Sequence, residues 1–221
     1  MIKFVRHEDI DKVAWDRGLA ACGNALWYGL SPTLDAASPG WDALIDEETG
    51  GRMPLPWRKK FGVRYAYQPF MIQQLGPFGP DAGSADPMLF FRAWPKQFLF
   101  ADFNVRWRDA AVDVPGLVLG ERTNHEIHLD RPLKELRARY SENHRRSLKR
   151  AGRAVEVIDA GAGTEELIAF FEGSEQFKRW GIGPAERDAM RRTMAGAEPA
   201  GTGFRRAVRS GGELVAAAYF V

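Results

Sequence analysis

Between positions 131 and 153 the chain carries nine Lys or Arg residues and two Glu, a local charge of +7 in a protein whose total is +2. At about 100° per residue, Leu133, Leu136, Tyr140, His144, Leu148 and Ala151 fall on one third of a helix. Most of the cations, Arg145, Arg146 and Lys149 among them, fall on the rest. The pattern predicts a helix whose apolar face packs and whose cationic face meets solvent or phosphate. A solvated charged face explains the same residues. Their clustering in a near-neutral chain points further, to a bound anion. Nucleic acid, a nucleotide-sugar and a coenzyme all qualify, and Arg suits bidentate phosphate contact.

A second group lies upstream. Tyr67, Gln68, Gln73 and Gln74 bring hydroxyl and amide groups into an apolar stretch with Phe70, Met71, Ile72 and Leu75. Buried amides need partners. Either they bond to backbone or they line a polar cleft.

Other chemistry reads weakly. His125 and His128 fall in a segment that alternates as a strand, where i and i+3 point to opposite faces, so no metal site is expected. Cys22, the single cysteine, sits among small residues without a local His or Asp, so a buried structural thiol is expected and no intrachain disulfide is possible. Gly161-Ala162-Gly163-Thr164 lacks the later Gly and Lys of phosphate-binding fingerprints, leaving a loop with Thr164 as a helix cap.

The elements that must hold these groups follow from punctuation and period. A helix is expected over about 9–21 with Asp9 at its cap, and another opens at Ser31-Pro32. Residues 41–46 read as a strand. Residues 52–60 read as an edge or irregular strand because of Pro54 and Pro56. Residues 61–68 alternate as a half-buried strand, and Gly and Pro mark 76–87 as loop. A helix to Trp94, a strand over 97–105, irregular chain and a strand over 122–129 follow. Then come helix over 130–151 with a break near Ser141, strand 153–160, helices 164–179 and 184–195, and a hairpin turning at Ser210-Gly211-Gly212. The order is α+β without regular βαβ alternation. The N-terminus breaks its apolar residues with charges, unlike a secretory signal. The longest apolar run, Leu214 to Val221, is eight residues against the roughly 20 of a membrane span. A soluble, cytoplasmic protein is expected. Its last strand ends in apolar Tyr219-Phe220-Val221, which predicts either a buried strand or a longer natural chain.

Three stretches together resemble the FemAB-like branch of the GNAT acyltransferase superfamily, the peptidoglycan-bridge aminoacyltransferases and their relatives. The first is Trp41-Asp42-Ala43-Leu44-Ile45 with Met53-Pro54-Leu55-Pro56-Trp57-Arg58-Lys59-Lys60. The second is Tyr67-Gln68-Pro69-Phe70 with Gln73-Gln74-Leu75-Gly76. The third runs from Tyr140 through Arg145-Arg146-Ser147-Leu148-Lys149-Arg150 to Ala151. Their order, more than any one of them, carries the likeness. The resemblance implies tandem GNAT-like domains, the first over 1–129 and the second over 130–221, with the second truncated before the family's coenzyme-binding helix. It implies transfer of an acyl group from acyl-CoA or aminoacyl-tRNA to an amine, with no covalently bound cofactor. It implies that Arg145, Arg146 and Lys149 hold phosphates of a nucleotide-linked acceptor or of tRNA. Tyr67, Gln73 and Gln74 complete the candidate site, and no catalytic base is assigned. The alternatives are an anion- or RNA-binding module built on 131–153, and an inactive fragment.

Overall fold

The computed structural model describes residues 1–80, 86–106, 114–154, 156–158 and 161–221, with α and β elements mixed. They form two compact units, each discontinuous in sequence. One comprises Met1–Gly116, Glu172–Phe204 and Val221; the other comprises Leu117–Phe171 and Arg205–Phe220. By compactness, therefore, 172–204 groups with the N-terminal residues and not with the segment that precedes it.

In the first unit, strands β1 (Ile2–Val5), β2 (Asp42–Asp46) and β3 (Arg52–Leu55) form an antiparallel sheet in that order. Pro54 lies on the outer strand, opposite Ala43, where a missing N–H is tolerated. Helix α1 (Lys12–Ala20) starts later than expected. Residues His7–Asp9 make a separate 3-10 turn, and Asp11, not Asp9, caps α1 by accepting from Ala14 N at 3.0 Å. Helix α2 (Ser31–Ala37) begins at Ser31, and its cap residue Leu30 offers no side-chain acceptor. Asp16 of α1 supplies one instead, accepting from Ser31 N and Ser31 Oγ, each at 2.7 Å. Trp15, Leu34, Ala37, Trp41, Ala43, Ile72 and Leu75 form the core between these elements. The Trp15 and Trp41 rings meet edge-on at 4.9 Å, and their indole N–H groups donate to Gly29 O and Asp35 Oδ1.

The expected 52–60 strand divides at Pro56 into β3 and β4 (Trp57–Lys60). β4 pairs antiparallel with β5 (Val63–Tyr67), and β5 pairs in parallel with β6 (Phe98–Asp102) after helix α3 (Pro87–Arg92). The β4–β5 turn is Phe61-Gly62, with φ of 50° and 84°. Positive φ suits Gly62. At Phe61, a bulky aromatic, it costs about 1–3 kcal/mol.

The expected 164–179 helix breaks at Gly173-Ser174 into α6 (Thr164–Glu172) and α7 (Glu175–Trp180), because the Ser174 hydroxyl caps α7 by accepting from Phe177 N at 3.2 Å. Helix α8 (Pro184–Ala197) packs on α2, and Arg192 Nε donates to Ala36 O at 2.8 Å.

The second unit holds α4 (Leu133–Ala138), α5 (Glu142–Ala154), most of α6, and a sheet of β7 (Glu156–Ile158), β8 (Phe204–Ser210) and β9 (Glu213–Phe220) in that order. Its hairpin turns at Gly211 and Gly212, both at positive φ. Arg209 Nη2 donates to both carboxylate oxygens of Glu166, at 2.7 and 2.8 Å, and Arg205 donates to Ala162 O and Thr164 Oγ1, tying β8 to the start of α6. Thr164 is thus a helical residue whose hydroxyl receives an arginine. The strand expected over 122–129 is not formed. Those residues are irregular and exposed, and no described strand lies alongside to take their backbone groups. With it goes the strand-based reason for setting aside His125 and His128.

Candidate anion-binding site

The break near Ser141 is present and has a local cause. Ser141 Oγ accepts from His144 N at 3.2 Å, Ser141 O accepts from Arg145 N at 3.0 Å, and Glu142 opens the new helix. Arg145 turns back toward the end of α4. Its Nε donates to Tyr140 O at 2.9 Å and its Nη2 approaches Ala138 O at 3.5 Å. It therefore joins α4 to α5 with part of its guanidinium. Arg146 pairs with Glu142 one turn earlier, both side chains well exposed. Surface pairs of this kind leave the cation available to a stronger anion. Lys149 is exposed and has no carboxylate partner among the described residues.

The apolar face of α5 departs from expectation. Every residue from Ser141 to Arg153 is exposed, and Leu148 keeps 50% of its surface. Tyr140 and His144 pack only edge-on against each other, at 4.7 Å, among the ring contacts described. The amphipathic pattern is real, but within this chain it does not make a buried stripe.

The amide group resolves into structural and surface parts. Gln68 Oε1 accepts from Asn104 N at 2.8 Å, while its Nε2 donates to Ile72 O. Asn104 in turn donates to Gln73 O at 3.2 Å and accepts from Leu75 N at 2.9 Å. The loop from Gln68 to Leu75, with Met71 at φ 69°, is stitched this way so that Ile72 and Leu75 enter the core. Gln68 therefore takes the backbone alternative. Gln73 is exposed, and its Oε1 accepts from Tyr28 OH at 3.4 Å. Gln74 is half-buried. Tyr67 lies under the Arg58 guanidinium, 4.3 Å from its ring centroid. Arg58 also reaches Glu186 at 3.4 Å. Burial works against the Arg58 charge, but Tyr67 and Glu186 outweigh it and hold the guanidinium above its ordinary range. Of the six predicted site residues, Tyr67, Gln73 and Gln74 belong to the first unit and Arg145, Arg146 and Lys149 to the second.

Two buried polar groups, Arg52 and Asp42, had no signature in the sequence, whereas Cys22 is buried as expected. Arg52 keeps only 8% of its surface, yet donates to Trp15 O at 2.6 Å and twice to Gly50 O at 3.2 and 3.0 Å. Cys22 lies beside it and donates to Gly18 O; burial pushes the thiol up against the pull of Arg52, which fits an inert structural thiol. Asp42 is buried and accepts from the backbone N of His7 at 2.9 Å, and burial pushes its carboxyl up. The His7 ring faces Trp41 O through Nδ1 at 3.1 Å, so the two side chains form no His–carboxylate dyad. Among the described residues no cluster of three His, Cys, Asp or Glu is placed to hold a metal. No helix among them is long and apolar enough to cross a membrane.

Comparison with protein-family models, with curated proteins and with solved structures finds no match for this chain.

Proposed function

We propose that the chain is an N-acyl or aminoacyl transferase of the FemAB/GNAT type, in which α5 holds the phosphates of an anionic acceptor or of tRNA. The supporting observation is that α5 offers its cations to solvent from Arg145 to Arg153, with Glu142 the one carboxylate in contact among the described residues. The ordered motifs quoted above supply the transferase half of the reading. In the reaction an amine nitrogen attacks the donor's acyl carbon. The new C–N bond replaces the C–S bond of a thioester or the C–O bond of an aminoacyl ester, and the amine proton leaves to a base. Arg146 and Lys149 serve as phosphate contacts, and Arg145 orients the helix while offering its remaining donors. Tyr67, Gln73 and Gln74 supply hydroxyl and amide groups on the first unit. A cytoplasmic setting accompanies either donor.

A second reading is anion or RNA binding without chemistry. It is favoured by the arrangement of His7 and Asp42, whose side chains do not form a His–carboxylate base. One experiment separates the two. The protein is offered acyl-CoA and aminoacyl-tRNA with amine acceptors, and tRNA affinity is followed against salt. Turnover that falls with Arg146→Glu and Lys149→Glu supports the transferase. Salt-steep binding without turnover supports the module. Loss of neither activity nor binding on charge reversal removes α5 from both.

A further inference from the structure

We propose that the tip of the β4–β5 hairpin, with the start of β6 beside it, docks on anionic lipid bilayers, Phe61 entering the interface and the flanking lysines holding headgroups. This rests on neither reading above.

Phe61 is 94% exposed while held at positive φ in a two-residue turn. Asn or Gly would take that position without strain. The fold gains no burial from the ring, whose one described neighbour is the Lys60 ammonium at 5.6 Å. A strained, bulky residue without a packing role is a mark of function. Its surroundings are apolar as well. β5 and β6 run parallel, with Arg64 opposite Phe98 and Tyr65 opposite Phe100, so β6 begins at the same end of the sheet as the turn. There Leu99 and Phe100 are 76% and 61% exposed, and Val63 is exposed too. Lys59 and Lys60 precede the turn and Lys96 precedes β6, all exposed. No acid occurs in 57–64 or 95–101. Glu186 forms an ion pair with Arg58, and Asp42 acts on Arg64 through space; among the described residues no carboxylate is seen to pair with Lys59, Lys60 or Lys96.

The chemistry favours lipid over nucleic acid. Leu99 and Val63 have no π-face on which a base stacks, but they are soluble in acyl chains. The guanidinium planes of Arg58 and Arg64 already lie over Tyr67 and Trp57, at 4.3 and 4.5 Å. What remains outermost is lysine, a point charge, around an aromatic: the composition of a surface that rests in the headgroup layer.

The test is cosedimentation of the full chain with phosphatidylcholine vesicles, pure or with about 30 mol% phosphatidylglycerol. Partition to the anionic vesicles is expected, weakening with salt. Phe61→Asn, which suits the turn and is checked by circular dichroism, lowers it about tenfold or more. Lys59→Gln with Lys60→Gln lowers it about 30-fold. Because α5 is also basic, dependence on Phe61 decides the matter. Equal partition of the native protein and Phe61→Asn overturns the proposal, as does absence of partition. Binding of single-stranded RNA that depends on Phe61, without vesicle binding, assigns the tip to nucleic acid and overturns it equally.

Discussion

Alanine in place of glycine inside a helix ordinarily stabilises by about 1 kcal/mol, and Gly18 sits inside α1. Here the sign reverses. A Cβ at Gly18 falls 1.8 Å from Arg52 Nη2 and 2.2 Å from both Cζ and Nη1. The guanidinium cannot yield in place, because it is buried and bonded to Trp15 O and Gly50 O. Expelling it forfeits at least two charge-assisted bonds, at roughly 1.5–3 kcal/mol each. The helix propensity gain and recovered hydration of the guanidinium offset part of that. The net loss expected for Gly18→Ala is about 2 kcal/mol, or about 4–8 °C in melting temperature for a chain of this size. Urea titration measures it, with Arg52→Met as the second arm of a cycle. Methionine ends short of the contact, so in that background Gly18→Ala should return to a gain of about 1 kcal/mol. A stabilised Gly18→Ala in the native background, or the same effect in both backgrounds, refutes the placement of Arg52.

Two further outcomes are expected. Asp42→Asn keeps an acceptor for His7 N and removes a charge that burial disfavours, so it raises melting temperature at pH 7. A carboxyl whose folded pKa is raised weakens the fold as pH climbs through the interval from its unfolded to its folded pKa. The gain over the native protein should therefore fade below about pH 4, where both side chains are neutral; a pH-independent gain contradicts this. Asp16→Ala removes both bonds to Ser31 and uncaps α2, at a cost of about 1–2 kcal/mol by urea titration; an unchanged midpoint would show the cap to be idle.

The elements legible in advance are those with local causes. Gly211-Gly212 dictates a hairpin, Pro184 opens α8, and Ser141 caps the second of the two basic helices. What escaped depends on partners far along the chain. β1 is a strand because β2, forty residues on, accepts its ladder, and Lys3 and Arg6 disguise its pattern. The cap of α2 comes from Asp16, in another helix. The alternation over 122–129 misled because alternation creates a strand only where a neighbour completes its hydrogen bonds. In the candidate site, charge was legible and surroundings were not. The cations of α5 were evident from composition, but nothing in their spacing distinguishes a packed apolar face from a bare one. Gln68 shows the reverse: an amide that reads as chemistry is a staple for a core loop.

The seating of α8 on α2 has a consequence for biosynthesis. Arg192 and Ala36, which bond across that contact, are separated by 156 positions. At 5–20 residues per second, a ribosome takes roughly 8–30 s to span that interval. For all of it the face of α2 around Ala36 waits without its cover, while Leu34 and Ala37 on the same helix already have theirs from Trp15, Trp41, Ile72 and Leu75.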